Sequence, residues 1–354
     1  MPFPAATGED IGMTQRPKRR RTSAARARTE VDVQRIYSGD MYVRVNTLGT
    51  TGVRPFILVP GIGVSSTYFE RLAPRLNEFG PVHALDLPGF GGVPHPDHAL
   101  SIREYADLVG TVIDELGLND PIVVGHSMGS QVVSDLASRR PDLTSIVLIG
   151  PVVNAAERKV LTQARRFLQA SWHEPLTVKV IAISAYLFCG FKWFSRILPK
   201  MLAFPIEDRL PNIQAHTLVI RGEFDAVAPR DWVERIGELL PSSRLWEIPG
   251  AAHSVMHAHA DEVARLCVEH ARQEPSPEVE PILRIAETSE PEGEAEPSVG
   301  QLARAVGGRL IETVGVITDD DELIKKGKTQ HAVEMDSARK DSSDNDASTH
   351  ETAK

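Results

Sequence analysis

Apolar and polar positions alternate along this chain with two different periods. Val33–Tyr37 and Met41–Val45 flank Ser38-Gly39-Asp40, a pattern that predicts a β-hairpin. Short apolar runs typical of buried strands follow at 56–59, 82–87, 121–124, 145–149, 217–221 and 244–248. With the hairpin, these runs predict eight strands.

Segments with helical spacing separate these strands. Residues 101–117 carry apolar side chains on one helical face, with Ser101 as the expected N-cap and Gly117 as the expected stop. Further helical patterns lie at 66–79, 128–139 and 258–272. Such alternation predicts an α/β fold, a mostly parallel eight-stranded sheet covered by helices on both faces.

Residues 152–210 interrupt this rhythm. They are helical in pattern and rich in Leu, Ile, Phe and Trp, and they lie between two predicted strands. Because a connection of this length is too long for a simple loop, we expect an inserted helical cap over the carboxyl edge of the sheet. The alternative is additional scaffold without a role in substrate binding.

The two ends differ in composition from the rest of the 354 residues, whose net charge is −9. Residues 16–28 carry seven basic residues and no acid, whereas residues 274–296 carry eight glutamates and one arginine. We therefore expect a disordered basic arm (1–30), a folded domain (31–273), an acidic Pro/Glu linker (274–298), a helical segment (299–338) and a disordered tail (339–354). Met13 is an alternative start.

Cysteine content and apolar stretches favour a cytoplasmic protein. Cys189 and Cys267 are the two cysteines, which suggests no disulfide framework. No apolar run follows the N-terminal arginines, so no export signal is expected. The apolar stretch 180–191 is too short to span a bilayer, and no transmembrane segment is expected.

Ser127 is the candidate nucleophile. It is the central residue of Gly125-His126-Ser127-Met128-Gly129, which follows a predicted strand and precedes a predicted helix. The sharp turn that lifts a serine hydroxyl above a sheet edge needs small residues on both sides, and the glycines provide them. The alternative is an ordinary helix N-terminus capped by a serine.

A serine hydroxyl needs a base to take its proton and an acid to orient that base. Asp225, just past the strand at 217–221, is the preferred acid, and Glu223 is its competitor in the same loop. His253, just past the strand at 244–248, is the preferred base. His257 and His259 follow on the next helix and are expected to be non-catalytic.

Backbone amides are expected to hold the oxyanion. Met128 directly follows the nucleophile, and Ile62 lies in the glycine-containing loop after the strand at 56–59. His126 adjoins Ser127, where it is expected to be a structural or pocket-wall residue. Asp86 is expected to stabilise a turn.

These motifs together resemble the capped α/β-hydrolase superfamily, in its serine-nucleophile branch. The resemblance covers about residues 32–273, and the order Ser127, Asp225, His253 matches that superfamily. Many relatives have histidine where this chain has Pro60, which puts the geometry of that loop in question. The serine argues against epoxide opening and halide removal, which use an aspartate nucleophile in this superfamily.

The stretch Gly308–Leu323, followed by Lys326-Gly327-Lys328-Thr329-Gln330, is similar to the small CsbD-like stress-response family. The resemblance covers roughly 300–337 and implies a stress-linked or interaction role and no catalysis. The alternative is a disordered polar tail.

The resulting expectation is an enzyme that cleaves an ester, lactone or thioester of a hydrophobic small molecule through a Ser-His-Asp triad and an acyl-enzyme. Phe167, Trp172, Tyr186 and Trp193 of the cap are the expected substrate-binding residues. We expect no cofactor, no metal and no nucleic-acid partner, and the oligomeric state is left open. The alternatives are a carbon–carbon bond hydrolase, an acyltransferase or perhydrolase on the same triad, and a non-catalytic interaction protein.

Overall fold

A single sheet organises the computed structural model, which describes residues 30–174, 179, 185, 189–273, 282–287, 308 and 311–330. The strands run in the order β1-β2-β4-β3-β5-β6-β7-β8-β9. β1 and β2 form the antiparallel hairpin, β2 pairs antiparallel with β4, and every other pairing is parallel. Their bounds are Val31–Ser38, Met41–Leu48, Phe56–Val59, Val82–Asp86, Ile122–His126, Ser145–Ile149, His216–Gly222, Ser243–Ile248 and Leu283–Ile285.

Helices cover both faces of this sheet. Ile57 and Val59 of β3 join one buried cluster with α2, α3 and α6, while Phe56 and Leu58 join the other with α1 and α8. This alternation is the two-residue period of a strand buried on both faces. The helices are α1 Leu72–Leu76, α2 Ile102–Glu115, α3 Met128–Ala137, α4 Val160–Trp172, α5 Phe191–Ala203, α6 Arg230–Leu239, α7 Val255–Ala258, α8 Ala260–Arg272, α9 311–318 and α10 321–330.

The sheet has nine strands, so the expectation of eight was wrong by one. Leu283–Ile285 extends the sheet beyond β8, with Leu283 opposite Leu245 in parallel register. The backbone N–H of Ala286 donates to the carbonyl of Glu247 at 2.8 Å, and Ala286 is buried. This strand lies inside the expected acidic linker. It was not predicted because Leu-Arg-Ile is too short to stand out from its glutamate-rich surroundings.

The helical pair α9–α10 packs against the β1–β2 hairpin. The guanidinium of Arg35 contacts the carboxylates of Asp319 and Asp321, at 3.0 and 2.6 Å. Thr329 accepts a hydrogen bond from the backbone N–H of Val31 at 3.0 Å, and Ile324 is fully buried. These residues are therefore part of the folded body. The expected arm residues 1–29 and tail residues 339–354 lie outside the described residues.

Lys328 is a largely enclosed charge of this interface. Its Nζ lies 2.6 Å from the Ser66 hydroxyl, 3.3 Å from Glu312 and 3.8 Å from Asp86, and its side chain is 10% exposed. Asp86 also accepts the Ser66 backbone N–H at 2.7 Å. Burial raises the Asp86 pKa, but the nearby Lys328 and Arg44 charges and these hydrogen bonds outweigh it, so the pKa lies below its ordinary value.

Lys328→Met is expected to loosen this interface, because two enclosed carboxylates lose a cationic partner. A cost of about 2 kcal/mol for leaving enclosed acceptors without one of their donors would raise amide exchange in α9 and α10 roughly thirtyfold. Hydrogen–deuterium exchange on the full chain measures this increase in amide exchange. Lys326→Met, at an exposed position of the same helix, is the matched control. Equal exchange in the two variants would contradict this role of Lys328.

Candidate active site

Ser127 occupies the tight turn between β5 and α3. Its backbone lies at φ 55°, a left-handed conformation that non-glycine residues rarely adopt. A Cβ on Gly125 would lie 2.3 Å from the Gly129 carbonyl oxygen, and one on Gly129 would lie 2.2 Å from the Val59 carbonyl oxygen. The turn therefore requires both glycines, and the structure has the predicted strand–turn–helix arrangement.

His253 and Asp225 meet where the loops after β7 and β8 approach each other. His253 Nδ1 lies 2.8 Å from Asp225 Oδ2, and both side chains are buried. Asp225 Oδ1 accepts the backbone N–H groups of Val227 and Ala228, at 2.9 and 3.0 Å. With its two oxygens held in this way, the carboxylate orients the imidazole so that Nδ1 donates and Nε2 is free to accept a proton.

The environment of this pair favours its charged forms. Burial lowers the His253 pKa, but the charge and hydrogen bond of Asp225 outweigh it, so the pKa lies above its ordinary value. Burial raises the Asp225 pKa, but His253 and the backbone donors hold it below its ordinary value. The arrangement suits a base that becomes an imidazolium during a reaction.

The other residues considered for the acid and the base either lie away from the His253–Asp225 pair or do not have the geometry that these roles require. Glu223 is exposed, and its carboxylate accepts the Gly250 N–H at 2.9 Å, so the structure brings Asp225 and not Glu223 to His253. His257 Nε2 lies 3.3 Å from the Glu70 carboxylate. His259 precedes helix α8, where its backbone carbonyl accepts the N–H of Val263.

His126 lies in the wall of the site. Its Nε2 is 3.1 Å from the His253 carbonyl oxygen, and its ring is 4.9 Å from the His253 ring. Burial, followed by the nearby His253 charge, lowers the pKa of His126 to about 3. At neutral pH it is an uncharged wall residue, as expected from its position beside Ser127.

Two expected amide donors flank Ser127. A Cβ on Gly61 would lie 3.0 Å from the Ser127 Cβ, so the loop that carries Ile62 passes directly over the nucleophile. Met128 is the first residue of α3, where a helix leaves its N–H groups without intrahelical acceptors. Pro60 therefore does not keep this loop away from Ser127.

A cavity of about 660 Å³ lies between the cap and the edge of the sheet. Ser127, His253, Gly61 and Ile62 line it, and α4 and α5 supply about half of its lining residues. Its apolar lining comprises Ile62, Val64, Val152, Val160, Ala164, Phe167, Leu168, Ala170, Phe191, Phe194, Leu198, Met201 and Val227. The volume and lining suit a small hydrophobic ligand.

The four expected substrate-binding residues have different locations. Phe167 lines the cavity. Trp193 is buried outside its lining, stacked on His95 with ring centroids 4.8 Å apart, and Trp172 is 85% exposed on the outer surface. Trp172 and Trp193 lie on faces of their helices that do not line the cavity. Tyr186 lies outside the described residues.

Sequence reasoning missed a polar group in the cavity wall. The Glu174 carboxylate accepts the backbone N–H of Ser254 at 2.6 Å, and the Ser254 hydroxyl lies 2.6 Å from the Tyr68 hydroxyl. Burial raises the pKa of Glu174. This contact joins the cap to the residue next to His253. The sequence feature that could have identified Glu174 is its position as a single acid among apolar and basic residues.

The residues that the structure describes hold neither a metal-binding cluster nor a membrane-spanning helix. In those residues, no group of three or more His, Cys, Asp or Glu side chains has an arrangement that could hold a metal ion. In the same part of the chain, no helix combines the length and apolar character needed to cross a bilayer.

A model of the alpha/beta hydrolase family matches residues 56–266, and the chain belongs to this family. It is 28% identical to the pimeloyl-[acyl-carrier protein] methyl ester esterase of Neisseria meningitidis serogroup A, over 63% of this chain and 80% of the relative. It is also 28% identical to a putative carbamate hydrolase of Pseudomonas savastanoi pv. phaseolicola, over 56% of this chain and 86% of the relative. The chain is an α/β-hydrolase with esterase-like homologues.

Solved structures show the same fold. A thermophilic esterase from Thermogutta terrifontis matches 68% of this chain and 98% of its own, with a TM-score of 0.59 and 20% identity. A meta-cleavage product hydrolase from Pseudomonas fluorescens covers the same shares with a TM-score of 0.55 and 21% identity. At this level of identity the likeness establishes the fold alone.

Proposed function

We propose that this enzyme hydrolyses an ester, lactone or thioester of a hydrophobic small molecule through Ser127, His253 and Asp225. The observation that carries the proposal is the His253–Asp225 pair, 2.8 Å apart, in which His253 lines the same apolar cavity as Ser127. A nucleophile, a base and an oriented acid in one enclosed site are the requirements for acyl transfer to a hydroxyl.

In the first half-reaction, Ser127 Oγ attacks the acyl carbonyl while His253 Nε2 takes the hydroxyl proton. Asp225 stabilises the imidazolium, and the amides of Ile62 and Met128 hold the developing oxyanion. His253 then returns the proton to the leaving group, which departs and leaves an acyl-enzyme. In the second half-reaction, water attacks the acyl-enzyme with His253 again as the base, and Ser127 is released.

The lining supports a hydrophobic acyl or aromatic substrate. Phe167, Phe191 and Phe194 face a cavity whose polar groups are concentrated near Ser127 and Glu174. An apolar wall binds a chain or ring without directional contacts, while the polar end positions the reactive bond. The methyl ester esterase named above is consistent with this class of substrate.

A panel of p-nitrophenyl esters with increasing acyl length tests the proposal. We expect hydrolysis, with kcat/KM rising from acetate to medium-length acyl groups as more of the chain enters the cavity. Absence of hydrolysis across the panel would contradict ester cleavage. It would favour the alternatives on the same residues, which are carbon–carbon bond hydrolysis, acyl transfer and perhydrolysis.

Acid pH is expected to reduce the activity, because a protonated His253 cannot accept the Ser127 proton. The His253 pKa is raised above 6.5, so kcat/KM should fall with decreasing pH and reach half its maximum above pH 6.5. The measurement is a pH profile of kcat/KM with one p-nitrophenyl ester. His259→Gln should leave the profile unchanged. A midpoint below pH 6.5 would contradict the role of Asp225 in raising this pKa.

We also propose that residues 299–338 form a CsbD-like segment and that the protein is cytoplasmic. Two helices, 311–318 and 321–330, joined at Asp319 and Asp320, support the first part. Expression of the protein measured under osmotic or oxidative stress tests the implied stress link, and unchanged levels would count against it.

A further inference from the structure

The outer face of α4 exposes large apolar side chains in one line. Leu161, Leu168 and Trp172 are 85%, 68% and 85% exposed, and Arg165 is exposed between them. Their spacing of three and four residues places all four on one face of the helix. We call these four residues the cap stripe. A soluble monomer rarely exposes a contiguous apolar patch of this kind without a partner.

The same helix also borders the cavity. Val160, Ala164, Phe167 and Leu168 line it, so Leu168 belongs both to the cap stripe and to the cavity wall. Phe191, the first residue of α5, likewise lines the cavity and is 85% exposed. The exposed apolar surface is therefore continuous with the cavity lining.

The cap that carries this stripe has a positive net charge, in contrast to the net charge of −9 for the chain. Residues 152–210 hold nine Lys and Arg against four Asp and Glu. Lys159, Arg165, Lys192, Arg196 and Lys200 are exposed, and no ion pair to these five occurs among the residues that the structure describes.

Three of the four acids of the cap are already engaged, and the fourth, Asp208, is exposed. Glu157 pairs with Arg166 and Glu207 with Arg158, while buried Glu174 accepts the Ser254 N–H. These contacts leave five exposed basic side chains against the exposed Asp208, so the charge that a partner would meet is positive.

We propose that the cap stripe docks on the surface of an anionic phospholipid bilayer. Leucine and tryptophan on one helical face, with basic side chains among and beside them, match the interface of such a membrane. The apolar groups enter the headgroup–acyl boundary, tryptophan lies at that depth, and the cations meet lipid phosphates. A neutral apolar partner would leave the positive charge unmatched.

Docking would place the rim formed by Leu168 and Phe191 against the lipid phase. This consequence rests on the proposed hydrolysis of hydrophobic esters, since it gives such substrates a route from the membrane to Ser127. The docking itself does not depend on that reaction, and it is tested with lipids that contain no ester bond.

The test measures partitioning of the full chain onto vesicles of ether-linked phospholipids. We expect at least about tenfold stronger binding to an equal mixture of phosphatidylglycerol and phosphatidylcholine than to phosphatidylcholine alone, and weaker binding at high salt. Trp172 fluorescence should shift to the blue on binding, whereas Trp193 and Trp232 are already buried.

Variants of the cap stripe should reduce this binding. Leu161→Ser with Trp172→Ser is expected to weaken it more than about tenfold, and Arg165→Gln about fivefold. Val53→Ser is the matched control, because Val53 is 75% exposed but lies in the loop before β3. Unchanged thermal melting of each variant verifies that it folds.

Several outcomes would overturn the proposal. Equal binding to neutral and anionic vesicles would do so, as would an equal loss of binding in Val53→Ser. Sedimentation that shows a dimer dispersed by the stripe variants, without vesicle binding, would assign the surface to a second copy of the chain. Vesicle binding without ester hydrolysis would support docking and contradict only the proposed reaction.

Discussion

Ser127→Ala is expected to reduce kcat for ester hydrolysis by about five to six orders of magnitude, without unfolding the protein. The change removes the attacking oxygen, and His253 and Asp225 then have no hydroxyl to activate. Only the amides of Ile62 and Met128 and the cavity remain to promote attack by water. Steady-state kinetics with the best p-nitrophenyl ester of the panel measures the loss.

Ser134→Ala is a matched control for this variant. Ser134 is a fully buried serine of the same helix α3, and its hydroxyl has no hydrogen-bond partner among the described residues. We expect its kcat to stay within about threefold of the wild-type value, since no reacting group is removed. A comparable loss in both variants would indicate damage to α3 and would contradict a specific role for Ser127.

Asp225→Asn is expected to lower kcat by about four orders of magnitude. The Val227 and Ala228 N–H groups bind Oδ1, so they select the oxygen of the introduced amide and direct its NH₂ group toward His253 Nδ1. The amide then donates to Nδ1, which moves the imidazole proton to Nε2. In that tautomer His253 cannot take the Ser127 proton.

The kinetics of Asp225→Asn have a second signature. Because the Asp225 charge raises the His253 pKa, its removal should move the acid limb of the kcat/KM profile to lower pH. Glu223→Gln is the control, since this exposed residue of the same loop contacts Gly250 instead. If Glu223→Gln lost activity and Asp225→Asn retained it, the assignment of the acid would be reversed.

Local patterns were sufficient to predict much of this fold. Ser101 caps α2, accepting the Glu104 N–H at 3.2 Å while the Glu104 carboxylate accepts the Ser101 N–H. The glycines around Ser127 indicated the tight turn because their spacing reflects contacts within a few residues. Asp225 and His253 were placed near each other because parallel strands end at one edge of a sheet.

Features that depend on distant contacts were not predictable in the same way. Arg35 pairs with Asp319 and Asp321, more than 280 positions away, although acidic runs near a chain end usually indicate solvated segments. Leu283–Ile285 pairs with β8 over three residues, which is too short a run to predict from its own sequence.

The orientation of side chains in the cap was equally hard to predict, as helix α4 shows. The pattern of residues 152–210 predicted a helical cap, but an apolar side chain of such a helix can face either the cavity or the exterior. Phe167 faces inward and Trp172 outward, although both are large aromatic residues of α4. Glu174 was missed because its partner, the Ser254 N–H, is 80 positions away.

Covalent labelling by a fluorophosphonate tests most directly whether Ser127 is the activated nucleophile. Intact-mass spectrometry should show one adduct per chain, and peptide mapping should place it on the peptide containing Ser127. Labelling should be absent in Ser127→Ala and retained in Ser134→Ala. A wild-type protein that is not labelled, or an adduct that persists in Ser127→Ala, would contradict the central claim.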